Sequence, residues 1–338
     1  MKRRTTINDI AKELNITAAT VSRALSNHPE ISAKTKKTVQ EAAKRLDYTQ
    51  NQIASSLRSG KTHVIGVMIP TAEHPFFGSV IHGISNLASK NGYAVLIYQS
   101  NESYDYEVQG IKTFIGARVD GIIASLSKET SDYTHFLDAK KRNIPIVFFD
   151  RVNDDLGIPC VVIDDYQGAY FATEHLIKQG YRRIGHISGP QYIKAFNERL
   201  KGYVSALQAN QIPFDPALVY QGNISIEAGK AGTRHLLSLE SAPDAIFTVE
   251  DFTALGVLKE LKEQSITVPG QFGLFGFSNE LFSAHTSPAL TTIDQQTVPM
   301  GEESFTLLHT MMETGRTDTM KIILDPIPII RESALPKH

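Results

Sequence analysis

The sequence predicts an α/β protein that consists of a small helical head, a hinge and two doubly wound lobes, each built on a parallel sheet. Its 338 residues are enough for two or three domains. Apolar residues follow a helical spacing over residues 1–48, and from residue 63 apolar, β-branched runs alternate with helical segments. Continuous apolar strands that alternate with helices indicate parallel sheets covered on both faces. Because this alternation restarts near residue 161, we expect two similar lobes.

The head is predicted to contain three helices. The first covers residues 7–14 and follows Thr6, whose hydroxyl can cap it. The second is capped by Thr17 and runs to about residue 26, and the third covers about residues 32–46. A helix, a short break, a second helix and a longer supporting helix are the layout of a helix-turn-helix domain.

The charge is distributed unevenly along the chain. Residues 1–60 contain 11 Lys/Arg and 5 Asp/Glu, a net charge of +6, whereas the remainder contains 23 Lys/Arg and 31 Asp/Glu, a net charge of −8. A basic head on an acidic body suggests that the head binds a polyanion, and nucleic acid is the leading candidate. The alternative is an ordinary basic face in contact with solvent.

The second helix, in the string TAATVSRALS, is the candidate recognition helix. The N-terminal residues of such a helix meet base edges in the major groove. Arg23 can bind guanine in a bidentate manner, and the alanines can contact the thymine methyl group. Thr and Ser hydroxyls more often bind phosphates, which position the domain. The candidates are Thr17, Ala18, Ala19, Thr20, Ser22 and Arg23.

Residues 5–62 resemble the DNA-binding head of the lactose/galactose repressor (LacI-type) family. The matching motifs are T-I-x-D-I-A, T-V-S-R-A-L and N-x-x-A-x-x-L-R, and strings such as HPFF, IPIVFFDR and ERLKGY extend the resemblance over nearly the whole chain. The resemblance implies a transcriptional regulator, most often a repressor, that binds a pseudo-palindromic double-stranded operator as a homodimer. It also implies two lobes of the periplasmic-binding-protein type that hold a small effector between them.

The resemblance further implies a hinge over residues 49–62, in which residues 51–58 fold as a helix on DNA. Leu57 is expected to enter the minor groove as an apolar wedge that bends the duplex; the alternative is a linker leucine that packs on the body. Gln50 replaces the proline that is usual before Asn51, so the entry into the hinge is less rigid. The remaining residues expected to contact DNA are Thr6, Asn27, Asn51, Ala54, Ser55 and Arg58.

For the effector site, the resemblance places lobe one at about residues 63–160 and 293–324, and lobe two at about 161–292 and 325–338. Asp150 and Asp251 follow predicted strands, and Arg199 offers a rigid fork for paired oxygens. The alternatives are that the phenylalanines are plain core and that Asp251 only caps a helix. The predicted effector contacts are Phe76, Phe77, Asp150, Arg199, Ile224, Asp251 and Ser278.

Three positions in this region depart from the usual family pattern. Ser278 stands where most members carry an acidic residue, Glu250 replaces a common Asn, and Ile224 stands where an aromatic ring is frequent. The effector is therefore chemically unusual, or the response to a small molecule is altered or lost. We favour an unusual saccharide-like effector, a sugar or sugar derivative.

Other classes of protein find little support in the sequence. HExxH, CxxC, the P-loop and a GxGxxG after a strand are missing, so we expect neither an enzyme nor a cofactor or metal. A single Cys160 forms no intramolecular disulfide. The lack of long apolar runs and of a secretory signal predicts a cytoplasmic protein without membrane contact. The alternative function is a cytoplasmic solute-binding protein without DNA-binding activity.

Overall fold

The computed structural model describes residues 5–48, 60–316 and 320–336. The chain divides into two units, which we call the head (Met1–Thr62) and the body (His63–His338). The division falls at the end of the predicted hinge. The α/β class, the helical head and the parallel sheets agree with the prediction.

The head contains helices α1 (Ile7–Leu14), α2 (Ala18–Leu25) and α3 (Ala33–Arg45). Local side chains cap the first turn of each helix, as the capping residues in the sequence predict. Thr6 precedes α1, and the hydroxyl of Thr17 accepts a hydrogen bond from the N–H of Thr20 at the start of α2. The three helices share one apolar core, formed by Ile10, Ala11, Val21, Ala24, Val39, Ala42 and Ala43.

Lobe one of the body is built on a six-stranded parallel sheet in the order β11-β5-β4-β3-β1-β2. Its strands are β1 (Val64–Ile69), β2 (Ala94–Gln99), β3 (Gly121–Ala124), β4 (Ile146–Phe149), β5 (Cys160–Ile163) and β11 (Lys321–Leu324). Its helices are α4 (Pro75–Lys90), α5 (Tyr104–Ala117), α6 (Thr134–Lys141) and α11 (Thr297–Thr314). The strands read as continuous apolar runs because helices cover both faces of the sheet.

Lobe two is built on a four-stranded parallel sheet in the order β7-β6-β8-β9. Its strands are β6 (Ile184–Ser188), β7 (Val219–Gln221), β8 (Ala245–Thr248) and β9 (Gly273–Phe275). Its helices are α7 (Asp165–Lys178), α8 (Lys194–Ala209), α9 (Ile226–Leu237) and α10 (Asp251–Glu263). A separate antiparallel pair joins β10 (Thr292–Asp294) to β12 (Ile327–Ile329).

One predicted boundary needs correction. The sequence places the start of lobe two near residue 161, but β5 pairs with β4 and β11 in the sheet of lobe one. The sheet of lobe two begins only with β6. The alternation of apolar and helical segments in the sequence predicts that a strand exists. It does not predict which strands will pair with it, because that depends on the path of the chain after the strand.

Helix α11, which the sequence pattern did not predict, returns the chain to lobe one and packs against α4. Its Gly301 lies so close to α4 that a Cβ atom would stand 2.1 Å from the carbonyl oxygen of Val80. Only glycine permits this approach of the two backbones. In the ranges that the structure describes, we find no helix with both the length and the apolar character that a membrane span requires.

Candidate DNA-reading surface and ligand cleft

Helix α2 presents the residues that the sequence predicts to meet DNA bases. Val21 and Ala24 are fully buried in the core of the head, so the opposite side of α2 faces solvent. Of the predicted head residues, Thr17, Ala19, Arg23 and Asn27 are exposed, and Thr6, Ala18, Thr20 and Ser22 are half-buried. The head therefore displays a solvent-facing helix surface that carries one guanidinium group.

The hydroxyl groups of this set already have partners inside the head. The hydroxyls of Thr17 and Thr20 lie 2.9 Å apart, and the hydroxyl of Thr6 donates to the carboxylate of Asp9 at 2.7 Å. Arg23 is less constrained, because its guanidinium lies 3.6 Å from the exposed carboxylate of Glu30. Such exposed pairs contribute at most about 1 kcal/mol, so DNA can replace this one at little cost.

The hinge residues predicted to contact DNA lie outside the described residues. They are Asn51, Ala54, Ser55, Leu57 and Arg58. Their role stays a prediction from the sequence.

The body contains a cleft between its two lobes, with a volume of about 70 Å³. Six of the seven predicted effector residues line it, namely Phe76, Phe77, Asp150, Arg199, Ile224 and Ser278. The other lining residues are His74, Arg151, Ile193, Ala195, Phe196, Glu250, Glu280 and Gln295. The cleft lies at the carboxyl ends of strands from both sheets, where ligands bind in doubly wound folds.

Arg199 is buried in the wall of the cleft and held from several sides. Its Nε donates to Asp165 at 2.8 Å, and its two terminal nitrogens donate to the carbonyl of Val249 at 2.6 Å and to Gln295 at 3.0 Å. The guanidinium carbon lies 3.7 Å from the ring centroid of Phe277. These contacts fix the orientation of the planar fork before any ligand arrives.

The lobe-one wall combines aromatic rings with an acid. Phe76 and Phe77 meet edge to face at 5.1 Å, and both also belong to the core of lobe one. Asp150 follows β4 in the left-handed backbone region, with φ of 58°. Burial raises the pKa of Asp150 to about 6, although the nearby Arg151 opposes this rise.

The structure places Asp251, which the sequence predicts as an effector contact, behind the cleft rather than on its lining. Asp251 is fully buried and does not line the cleft, since its carboxylate accepts hydrogen bonds from the N–H of Glu280 at 2.8 Å and from the hydroxyl of Thr292 at 2.7 Å. A Cβ atom at Gly276 would stand 2.1 Å from this carboxylate, so glycine is required there. Asp251 therefore supports the wall from behind.

Glu250, rather than Asp251, caps helix α10. Its carboxylate accepts hydrogen bonds from the N–H groups of Phe252 at 2.8 Å and Thr253 at 2.6 Å. The partial positive charge of a helix N-terminus stabilises an anion at this position. Burial nevertheless raises the pKa of Glu250, and these hydrogen bonds and the charge of Arg199 counter that rise.

Glu280 is an acidic cleft residue that the sequence analysis did not single out. Ser278 stands at the family's usual acidic position, and its hydroxyl accepts a hydrogen bond from Gln295 at 2.9 Å. The acid stands two residues later in the same loop after β9, in the string FSNE. Burial raises the pKa of Glu280 to about 7, and the negative charge of Glu250 adds to the rise.

A second cavity of about 350 Å³ adjoins the cleft and shares Arg151, Ile193 and Ala195 with it. Asp154 of lobe one forms an ion pair across this cavity with Lys194, the first residue of α8 in lobe two. Lys321 lies 3.0 Å from the same carboxylate. An ion pair beside the cleft therefore links the two lobes.

Comparison with known proteins identifies two family matches. Residues 62–329 match the family described as periplasmic binding proteins and sugar binding domain of the LacI family. Residues 6–51 match the family described as bacterial regulatory proteins, lacI family.

Individual relatives match over nearly the full length. The HTH-type transcriptional repressor CytR of Escherichia coli is 32% identical over 98% of this chain and 97% of its own. The transcriptional regulator CelR, solved in complex with cellobiose, superimposes with a TM-score of 0.74 and 28% identity over 98% of this chain and 100% of its own. The lac repressor dimer, solved with operator and the anti-inducer ONPF, has a TM-score of 0.88 at 24% identity, over 98% of this chain and 100% of its own, and shows the same fold.

Proposed function

Because this chain belongs to the LacI family, we propose that it binds a two-fold symmetric operator as a homodimer and that a saccharide-like effector in its cleft changes this binding. Like its full-length relatives, the protein is a DNA-binding transcriptional regulator and not an enzyme. The operator, the dimer and the class of effector are the parts that we propose.

The exposed side of α2 carries the DNA-binding part of the proposal. It presents Arg23 beside the small side chain of Ala19, so the helix can approach the floor of the major groove closely. An arginine in this place can bind the O6 and N7 atoms of guanine together. Two heads in a symmetric dimer would read two half-sites in opposite orientations.

The fixed fork of Arg199 at the cleft carries the effector part. A planar guanidinium with preset orientation suits the paired hydroxyl oxygens of a sugar. Aromatic rings from Phe76 and Phe196 complete a wall suited to the apolar face of a sugar ring. The similarity to CelR, a regulator solved in complex with cellobiose, supports a saccharide-like effector by analogy.

The cleft also suggests how the effector acts. Its lining comes from both lobes, so a ligand that contacts both walls stabilises one relation of the lobes over another. If the operator binds the same two states with different affinity, effector and operator must change each other's affinity by the same factor.

Selection of the full-length protein against a random duplex pool, followed by sequencing, tests the proposal. We expect an enriched motif with two-fold symmetry. An asymmetric motif or no enrichment would contradict the homodimeric operator, whereas an unchanged motif affinity with every sugar tested would contradict the effector.

A further inference from the structure

The charges that line the cleft do not balance. Arg199 is paired with Asp165 at 2.8 Å, and Arg151 is paired with Glu102 at 2.7 Å. Neither of these two carboxylates lines the cleft. Both guanidinium charges are therefore compensated from behind the wall, although the Nε of Arg151 also lies 4.0 Å from the carboxylate of Asp150 on the lining.

Three carboxyl groups remain on the lining, on Asp150, Glu250 and Glu280. The other basic group on the wall is the imidazole of His74, whose pKa is lowered by burial and by the charge of Arg151. Both effects disfavour the positively charged form of His74. The lining of the cleft presents an acidic surface to a ligand.

Glu280 is the least compensated of the three acids. It is 7% exposed, and across the described residues no Lys, Arg or His nitrogen lies within 4.0 Å of its carboxylate. No side chain in the described ranges donates a hydrogen bond to it either; the backbone N–H of Phe76 is the group that favours its charged form. A buried carboxylate without a cationic partner is costly.

The neighbours of Glu280 do not supply the missing positive charge. The carboxylate of Glu250 accepts hydrogen bonds from backbone N–H groups at the start of α10. The carboxylate of Asp251 accepts a hydrogen bond from the backbone N–H of Glu280. The carboxylate of Glu280 thus has the acid Glu250 beside it and the open cleft in front. A positive charge placed in the cleft would satisfy it.

We propose that the effector is a polyol that carries a protonated amine, and that its ammonium group binds at Glu280 and Glu250 while its hydroxyl groups bind Asp150 and Arg199. This inference rests on the proposed function and assigns the chemistry of the ligand at the same site. An ammonium group has three donors and no acceptor, which suits carboxylates on one wall. An aminated sugar combines this ammonium group with hydroxyl groups for Asp150 and Arg199 and with an apolar ring face for the aromatic rings of the cleft.

The proposal predicts a proton exchange on binding. At neutral pH the carboxyl of Glu280 is partly protonated, since its pKa lies at about 7. The groups that face it are Glu250 and Asp251 of α10, His74 before α4, the pair Asp150 and Arg151 after β4, and Arg199 of α8. An ammonium ligand expels the proton from Glu280, so its affinity rises as the pH rises to about 7; nearer pH 8 the amine of an aminated sugar begins to lose its own charge, as an α-amino group does.

Calorimetric titration of the full-length protein with matched sugars tests the proposal. The probes are glucose, glucosamine and N-acetylglucosamine, and the corresponding galactose series, each at about pH 6 and pH 7, where the free amine is still charged. We expect a free amine to bind at least about tenfold more tightly than its hydroxyl and N-acetyl counterparts, a difference of about 1.4 kcal/mol. Equal or tighter binding of the neutral sugars, or no binding of either amine, overturns the proposal.

Glu280→Gln supplies the matched variant. It removes the charge but keeps the shape, so it should abolish the preference for the amine. Glu260→Gln is the control, because Glu260 is another buried acid of lobe two that does not line the cleft. A preference that survives Glu280→Gln, or that Glu260→Gln also abolishes, contradicts the assignment.

The operator selection, run on the same preparation, separates the failure of the function from the failure of the ligand. If the symmetric motif is recovered and its affinity responds to a neutral sugar alone, the proposed function stands and the amine is wrong. If an amine binds in the cleft and no motif is recovered, the ligand assignment stands and the operator proposal is wrong.

Discussion

The buried carboxylate of Asp251 accepts a hydrogen bond from the backbone N–H of Glu280 at 2.8 Å. The acid that the sequence predicts as an effector contact thus positions a second acid that lines the cleft. The same carboxylate accepts the hydroxyl of Thr292, so it ties the loop after β9 to β10. This side chain therefore helps to hold the lobe-two wall of the cleft in place.

Asp251→Ala should therefore destabilise the body strongly. It leaves the N–H of Glu280 and the buried hydroxyl of Thr292 without an acceptor, and each such loss costs about 1–3 kcal/mol. Urea unfolding measures the effect. Asp138→Ala, which removes an exposed acid paired with Lys141, is the control and should change the free energy of unfolding by less than about 0.5 kcal/mol. Similar effects of the two variants would contradict the role of Asp251.

Arg199→Lys should uncouple ligand from operator. Lysine keeps a positive charge beside Asp165 but cannot also reach Val249 and Gln295 in the plane that the guanidinium occupies. We expect unchanged operator affinity without ligand and no change when a sugar that acts on the native protein is added, measured by fluorescence anisotropy. Arg234→Lys, on the exposed side of α9, is the control and should respond normally. A retained response in Arg199→Lys would mean that the ligand does not depend on contact with Arg199.

The secondary structure was largely predictable because it follows from local patterns. The strand and helix bounds lie within a few residues of the apolar runs and caps that predicted them, as at Thr17 before α2. Helix α11 escaped detection because Pro299 and Gly301 interrupt its helical pattern, although Gly301 serves the close contact with α4. The place of β5 in lobe one was also missed, since strand pairing is a long-range property.

The cleft was predictable in position and less so in chemistry. A residue that follows a parallel strand lies at the carboxyl edge of the sheet, where ligands bind. This rule predicts that Asp150 and the loops at residues 250 and 278 lie near the cleft. Whether a side chain there points into the cleft depends on tertiary hydrogen bonds, and these turned Asp251 away from it. Glu280 was missed because the family pattern directs attention to the position of Ser278.

Arg23→Ala should weaken operator binding by about 1–3 kcal/mol and relax the base preference at one position of each half-site. Arg23 is the charged fork on the exposed side of α2, and its pairing with Glu30 is weak. Repeating the duplex selection with the variant measures both effects. Lys37→Ala, at an exposed position of α3, is the comparison and should weaken all sequences alike. If Arg23→Ala leaves every base preference intact, Arg23 contacts only phosphate.

Leu57→Ala tests the hinge, which lies outside the described residues. If Leu57 unstacks a base step at the operator centre, its loss should weaken specific binding far more than binding to random duplex. Competition titrations with the selected operator and with random DNA measure the two affinities. Equal losses in both would show that Leu57 is not a wedge.

The pH dependence of stability should reveal the buried acid at Glu280. Its pKa in the folded protein is raised from the ordinary 4.5 to about 7, so the folded protein holds the proton more tightly than the unfolded chain. This contribution to stability is complete below about pH 4.5 and is lost as the pH rises through about 7. Urea unfolding across this range should show a steeper decline for the native protein than for Glu280→Gln, in which only the decline due to Asp150, Glu250 and Asp251 remains. Parallel curves would mean that the pKa of Glu280 is the same in the folded and the unfolded protein, and hence that its burial is compensated by a favourable charge or hydrogen bond.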